Sequence, residues 1–125
     1  MKMKKIFVSV PMKGRTEDAI KASIAKMKAI AEIYEGEELE LIDSYIPDMP
    51  KGIKNLSVWC LGRSIQKLSK ADVFIGITNN YEWNGCCIEY QTAERYGIKC
   101  YGVPSYNIME YHEPVDYGTC APCKG

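Results

Sequence analysis

The sequence lacks several features that would assign it directly to a class of protein, such as membrane, secreted or nucleic-acid-binding proteins. Acidic and basic residues number 16 each, so the net charge is zero and there is no basic field of the kind that long nucleic acids usually require. No apolar run approaches the roughly 18–20 residues that cross a bilayer. The apolar stretch after the N-terminal lysines is shorter than a signal-peptide core of roughly 7–15 residues. These absences predict a cytoplasmic protein that acts on neither membranes nor long nucleic acids.

Cysteine is also too sparse for a disulfide scaffold. Six cysteines in 125 residues suit reduced thiols, since a chain of this length can bury a core without covalent links. Cys120 and Cys123 have the spacing of a redox pair or of half a zinc site, but they follow no strand. The single histidine, His112, has no evident metal or catalytic partner. We therefore expect no metal and no cofactor.

Short aliphatic segments alternate with amphipathic ones along most of the chain. Predicted strands cover 4–10, 39–42, 72–77 and 99–103, and predicted helices cover 17–35, about 55–68 and 86–96. This alternation predicts βαβ units in an α/β fold, a three-layer sandwich with a parallel sheet of four to five strands, flavodoxin-like or Rossmann-like. We place this domain at residues 1–104 and expect an irregular tail at 105–125.

Glu89 is the strongest candidate for a catalytic residue. In parallel sheets, ligands bind at the carboxyl ends of the strands, near the point where strand order reverses. Glu89 lies about one turn into the third predicted helix, beside that edge, and shares a helical face with Cys86 and Ala93. Burial there would tune its pKa and its nucleophilicity. The alternative is a glutamate that only complements the helix dipole.

The loops at the same edge carry residues suited to a small planar anion. Gly14 and Arg15 could bind a phosphate, although an ordinary turn fits equally well and no glycine-rich phosphate motif is present. Asp43 could bind a sugar hydroxyl or cap a turn. Three aromatic side chains could stack on a planar ring or simply cover the surface: Tyr45, Tyr81 and Trp83.

Three segments taken together resemble the nucleoside 2-deoxyribosyltransferase-like superfamily. They are KIFVSVPMKGR at 5–15, SKADVFI at 69–75 and GCCIEYQTAERYG at 85–97. The similarity covers roughly residues 4–103 in the same order. It is nearest to a branch of small bacterial and phage proteins of unassigned function. The 2′-deoxynucleoside 5′-monophosphate N-glycosidases are a step further away.

The resemblance implies cleavage or transfer of the N-glycosidic bond of a nucleoside or nucleotide. Glu89 matches the family's nucleophile, which attacks the anomeric carbon and forms a glycosyl-enzyme that water or a second base resolves. The turn from Met12 to Arg15 would hold the sugar or its phosphate, and the loop from Tyr81 to Trp83 would lie near the base. Gly85 begins the G-x-x-x-E-x-x-x-A pattern and joins the implied ligand-binding residues. The family usually forms dimers or larger homo-oligomers whose subunits complete each other's sites.

One position departs from the family pattern. Active members carry a second carboxylate on the helix before the third strand, and Ser64 stands at the corresponding place here. General acid catalysis commonly contributes about 10²–10⁴-fold, and Asp43 or Glu82 could substitute for the missing carboxylate. Two hypotheses stay open: an N-glycosidase or deoxyribosyltransferase that uses Glu89, and a non-catalytic protein that binds or sequesters a nucleotide in the same crevice. A redox or zinc role for the tail cysteines is a distant third.

Overall fold

The structure, a computed structural model, describes residues 2–44 and 49–108. Over these residues, strands and helices alternate as the sequence predicts. The elements are β1 (Lys5–Val8), α1 (Glu17–Glu35), β2 (Glu40–Leu41), α2 (Leu56–Leu68), β3 (Val73–Ile77), α3 (Asn84–Arg95) and β4 (Lys99–Val103). The predicted α/β class is confirmed, with four strands in the described part of the chain.

All four strands are parallel and follow the order β2-β1-β3-β4. In the register, Ile6 of β1 lies between Leu41 of β2 and Val73 of β3. The chain leaves β1 toward β2 and then crosses back to β3, so strand order reverses between β1 and β3. In doubly wound sheets, the carboxyl ends of the strands at such a reversal are where ligands bind. The flavodoxin-like order therefore places the candidate crevice beside the end of β1.

The two faces of the sheet are covered by different helices, which gives the predicted three layers. Side chains alternate along each strand, so neighbouring residues enter opposite cores. On one face, Met27 and Ala31 of α1 pack against the aliphatic residues of β1 and β3. On the other face, Leu68 of α2 and Ala93 of α3 pack against an aromatic pair, Phe7 and Phe74, whose ring centroids lie 6.0 Å apart.

The helix ends follow local capping chemistry where the sequence offers it. The hydroxyl of Thr16 accepts a hydrogen bond from the Ala19 amide at 3.1 Å, and the side-chain oxygen of Asn55 accepts one from Val58 at 3.1 Å. Helix α3 begins at Asn84, two residues before the predicted start, with no side-chain cap at Trp83. Because no capping residue marks this helix start, the sequence pattern placed it late.

The packed part of the chain continues past β4. A short 3₁₀ turn at Ser105–Asn107 follows, and Ile108 is buried in the core on the α1 face. Its carbonyl accepts a hydrogen bond from Ser23 at 3.2 Å. Within the described ranges, none of the helices has the length and apolar character to cross a membrane. Cys120, Cys123 and His112 lie outside the described residues.

Candidate functional site

The site is built where β1 ends. Phe7 and Ser9 alternate with the residues that face α1, so both are directed toward α2 and α3. The Ser9 amide donates to the carbonyl of Ile75 at 3.0 Å, which extends the pairing of β1 with β3 by one residue. Ser9 is only 1% exposed. A hydroxyl is thus fixed at the carboxyl edge of the sheet, beside the strand-order reversal.

The side chain of Glu89, on α3, contacts the hydroxyl of Ser9. Its helical neighbours Cys86 and Ala93 are buried, so the same face of α3 directs Glu89 inward, as the spacing predicts. The Ser9 Oγ donates to the Glu89 Oε1 at 2.6 Å. The hydroxyl of Ser64, on α2, also acts on this carboxylate and lowers its pKa. Three separate elements therefore hold one half-buried carboxylate between two hydroxyl groups.

The environment makes Glu89 a weak acid. Burial raises the pKa of its carboxyl to about 7, while the hydrogen bonds from Ser9 and Ser64 act in the opposite direction and only partly offset it. A carboxyl that titrates near neutral pH is present both as base or nucleophile and as acid. Such a value at a strand edge is typical of catalytic carboxylates.

Cys86 lies against the same group but is inert. It is 3% exposed, and burial followed by the charge of Glu89 raises the pKa of its thiol to about 12. The thiolate is the reactive form of cysteine, so this side chain is not a nucleophile at neutral pH. Cys86 is therefore a buried, neutral neighbour of the carboxylate of Glu89.

The turn between β1 and α1 stands above this edge. Gly14 adopts a left-handed conformation with φ 79°, and the Arg15 amide donates back to the Met12 carbonyl at 3.2 Å. The guanidinium of Arg15 donates to the Pro11 carbonyl at 2.9 Å and to the Ser23 hydroxyl at 2.6 Å. These contacts tie Arg15 to the protein's own fold. A phosphate would have to share the guanidinium, which has five donors in all, with these acceptors.

A groove lies on the other face of the sheet. It encloses about 950 Å³ between α1 and the end of β2, and Met12, Arg15 and Asp43 line it together with Val8, Ile20 and Ile24. Glu89 does not line it, because its side chain enters from the α2 and α3 face. The structure therefore brings Glu89 and Ser64 together, and places Met12, Arg15 and Asp43 along a separate, mainly apolar groove.

The aromatic side chains of the loop after β3 differ in their exposure to solvent. Tyr81 is 77% exposed, whereas Trp83 packs against the core cluster on the α1 face. The predicted stacking role suits the exposed Tyr81 better than the packed Trp83. Gly85 is buried in the first turn of α3. Tyr45 lies outside the described residues.

Ser9 is the site residue that the sequence reasoning missed. It is polar in an otherwise apolar segment, and the two-residue period of a strand puts it on the same face as Phe7. Those two facts together could have indicated a functional hydroxyl. Over residues 2–44 and 49–108, no group of three or more metal-ligating side chains is found. No family model, curated protein or solved structure matches the chain.

Proposed function

We propose that the protein cleaves or transfers the N-glycosidic bond of a nucleoside or nucleotide, with Glu89 as the nucleophile. The observation that carries the proposal is the carboxylate of Glu89, held by Ser9 and Ser64 at the carboxyl edge of the sheet. This is the residue that the resemblance to the nucleoside 2-deoxyribosyltransferase-like superfamily marks as nucleophile. Geometry and resemblance, which rest on separate observations, support the same side chain.

The chemistry follows from the way the carboxylate is held. A nucleophile must be aimed at one carbon atom, and hydroxyl donors from two elements restrict its rotation. Burial leaves its charge weakly solvated, so forming a covalent bond to the anomeric carbon neutralises an unfavourable charge. An ester formed in this way is the intermediate of a retaining glycosidase, which water or a second base then resolves.

A second candidate is a protein that binds or sequesters a nucleotide without cleaving it. Ser64 favours this alternative, because it places a hydroxyl where active members of the resembled family carry a second carboxylate. In that case Glu89 would accept hydrogen bonds from the ligand rather than attack it.

We further propose a cytoplasmic homodimer or larger homo-oligomer. Helix α2 supports it: Leu56 is 41% exposed, and Val58, which helical spacing places on its apolar stripe, is 60% exposed. Apolar side chains on the helix that carries Ser64 would allow a second copy to pack beside the site. The four cysteines of the described part are free thiols, which suits a reducing compartment. Light scattering at two protein concentrations, on wild type and Val58→Glu, tests the oligomer.

The deciding experiment is release of free base from a panel of nucleosides and nucleoside monophosphates. Wild-type protein should release base from at least one member, and Glu89→Gln should lower the rate by about 10³-fold or more, because a neutral amide cannot attack the anomeric carbon. Glu94→Gln is the matched control, since Glu94 is an exposed glutamate on the same helix.

Two outcomes contradict the assignment. Base release that survives Glu89→Gln would remove Glu89 from the reaction. Retention of a nucleotide with no base release, at any protein concentration, would favour the sequestering alternative.

A further inference from the structure

A small polar cavity lies on the side of α3 that faces away from Glu89. Cys87 and Gln91 lie two residues before and two residues after Glu89, so at about 100° per residue both are on the opposite side of the helix. The side-chain amide of Gln91 donates to the Cys87 Sγ at 3.3 Å, as residues one turn apart can. A cavity of about 310 Å³ opens beside these two side chains. The cavity is therefore separate from the carboxylate of Glu89, and its occupant need not be a substrate of the proposed reaction.

Tyr90 lines this cavity, and two glycines determine where its ring lies. Gly76 of β3 and Gly102 of β4 are paired in the register of the sheet. A Cβ atom at Gly76 would lie 2.9 Å from the ring of Tyr90, and a Cβ atom at Gly102 would overlap its hydroxyl. Because neither position carries a side chain, the ring lies directly against the sheet, where its centroid is 5.3 Å from that of Phe74 in an edge-to-face contact. The Tyr90 hydroxyl is thus held in one place.

This hydroxyl is available to a ligand. In the part of the chain that the structure describes, it makes no hydrogen bond to another protein group, although it belongs to a side chain that lines the cavity. Thr78 and Asn80, from the loop after β3, line the cavity together with Gln91. Hydroxyl and amide side chains can each both donate and accept a hydrogen bond. The exposed carboxylate of Glu94 also borders the cavity.

These groups suit a neutral molecule that carries several hydroxyls. Hydroxyls on adjacent carbon atoms both donate and accept, so they can pair with hydroxyl and amide side chains without any charged partner. The volume of about 310 Å³ is at the lower end of the roughly 300–1,000 Å³ of small-molecule sites, which suits a single sugar ring. The carboxylate of Glu94 would repel an anion. We propose that this cavity binds a neutral polyhydroxylated molecule of monosaccharide size, with the Tyr90 hydroxyl as its central contact.

The first test is an NMR titration of the full chain with D-ribose, a neutral monosaccharide. The backbone amide signals of Thr78, Asn80 and Gln91 should shift in a saturable way, with a Kd on the order of 1–10 mM, as expected for a few neutral hydrogen bonds. Tetrahydropyran, a ring ether without hydroxyl groups, should cause no saturable shift. No saturable shift with ribose, or shifts confined to the surroundings of Ser9 and Ser64, would overturn the proposal. Neither result bears on base release, which tests the proposed function separately.

Ribose 5-phosphate tests the charge of the ligand in the same titration. It carries the hydroxyls of a sugar together with an anionic group. Its Kd should be about 2–5-fold higher than that of ribose, because the carboxylate of Glu94 borders the cavity and exposed charges of this kind contribute little more. Equal or tighter binding of the phosphate would contradict the neutral class.

Tyr90→Phe removes the central contact and keeps the ring. The Kd for ribose should rise about 2–10-fold, which corresponds to the loss of one hydrogen bond. Tyr96→Phe is the matched control, since Tyr96 follows α3 directly and is 81% exposed, and it should leave the Kd unchanged. Equal affinity of wild type and Tyr90→Phe would overturn the proposal.

Gly102→Ala tests the support beneath the hydroxyl. The added methyl group would displace Tyr90, so the Kd for ribose should rise more than about tenfold, because the other contacts of the ligand are disturbed as well. Gly62→Ala is the control, since nothing lies within 4 Å of the place its Cβ would take. Circular dichroism verifies that both variants fold, and Tyr90→Phe decides the matter if Gly102→Ala does not. Wild-type affinity in a folded Gly102→Ala would contradict the assigned contact.

Discussion

Two enclosed glutamates, at opposite edges of the same sheet, have opposite electrostatics. Glu35 ends α1 near the amino ends of β1 and β4, and its side chain is 2% exposed. Lys99 lies 2.8 Å from it, Tyr101 donates a hydroxyl hydrogen bond, and Lys4 lies at 3.2 Å. These contacts, led by those of Lys99 and Tyr101, lower the pKa of Glu35 to about 2.

Glu89 has hydroxyl donors where Glu35 has cations, and its pKa rises to about 7. The same residue type in two enclosed places therefore becomes a fixed charge at one edge and a titrating group at the other. Ion pairs hold Glu35 ionised and fasten α1 to β4. Among residues 2–44 and 49–108, the side chains that act on the carboxyl of Glu89 are the hydroxyls of Ser9 and Ser64, and neither is charged.

The largest expected consequence is a pH dependence of the rate that follows the titration of Glu89. The proposed attack requires the ionised carboxylate, so kcat/KM for an N-glycoside that the protein cleaves should rise as pH increases through about 7 and then level off. Between about pH 5 and pH 8 the rise should be roughly 100-fold, since about 1% of the carboxyl is ionised at the lower value. Initial rates of base release across this range measure it.

Glu35→Gln is the control for that profile, because Glu35 lies at the far edge and is ionised throughout the range. The variant should keep the wild-type midpoint wherever it is folded. A midpoint near 4.5 in wild type would mean that burial does not control the reactivity of Glu89, and the contrast between the two glutamates would fail.

The fold was largely predictable because its signals are local. Alternating apolar segments gave the strands and helices, and β4 was predicted with the bounds it has, Lys99–Val103. Capping residues at Thr16 and Asn55 marked two helix starts, whereas α3 starts at Asn84 without a side-chain cap and was placed two residues late. Local capping chemistry therefore explains both the two helix starts that were predicted correctly and the start of α3 that was placed late.

The site was predictable only in part because its contacts are not local. Helical spacing indicated Glu89, but its bond to Ser9 joins residues 80 positions apart, and only the sheet topology brings them together. Similarly, the sequence cannot show that Arg15 is directed to Ser23 and Pro11, because a long side chain has many rotamers. Tertiary packing decided these contacts.

The second prediction concerns stability, for which the two glutamates should have opposite signs. The folded pKa of Glu89 lies above its ordinary value of 4.5, so its contribution to stability is complete below that value and is lost as pH rises through about 7. Glu89→Gln should therefore raise the free energy of unfolding near pH 8 by about 1–3 kcal/mol. Near pH 4 it should change little. Urea unfolding at both pH values measures the difference.

Glu35 should have the opposite effect on the free energy of unfolding. Its folded pKa is lowered, so its contribution is present above about pH 4.5 and is lost as pH falls toward 2. Glu35→Gln should lower the free energy of unfolding at neutral pH by about 1–3 kcal/mol, because it leaves Lys99 and Lys4 without their shared partner. Changes of the same sign in both glutamine variants at neutral pH would break the comparison.

The third prediction removes a hydrogen bond from each of two buried serines. Ser9→Ala deletes the donor at 2.6 Å from Glu89, so the kinetic midpoint should move upward by about 0.5–1 pH unit. Ser23→Ala is the matched control, since Ser23 is 2% exposed but lies on α1 and bonds to Arg15. At high pH, where Glu89 is fully ionised, the rate of base release should fall modestly in Ser9→Ala, because the carboxylate is less firmly oriented. A midpoint shift shared by both variants would mean that Ser9 acts only through general packing.

The smallest expected effect belongs to Tyr101→Phe. The change removes one donor from Glu35 but keeps the ring that stacks on Tyr34 at 5.3 Å. Lys99 and Lys4 still neutralise the carboxylate, so the free energy of unfolding at neutral pH should fall by only about 0.5–1.5 kcal/mol. The pKa of Glu35 should rise, because a hydrogen bond to its charged form is lost, and acid unfolding should begin at a higher pH. Urea unfolding at neutral pH and an acid titration followed by circular dichroism measure both effects. A loss as large as that of Glu35→Gln would mean that the tyrosine, not the lysines, keeps this glutamate ionised. One hydroxyl would then hold the pKa of Glu35 low at one edge of the sheet, whereas two hydroxyls do not lower the pKa of Glu89 to its ordinary value at the other.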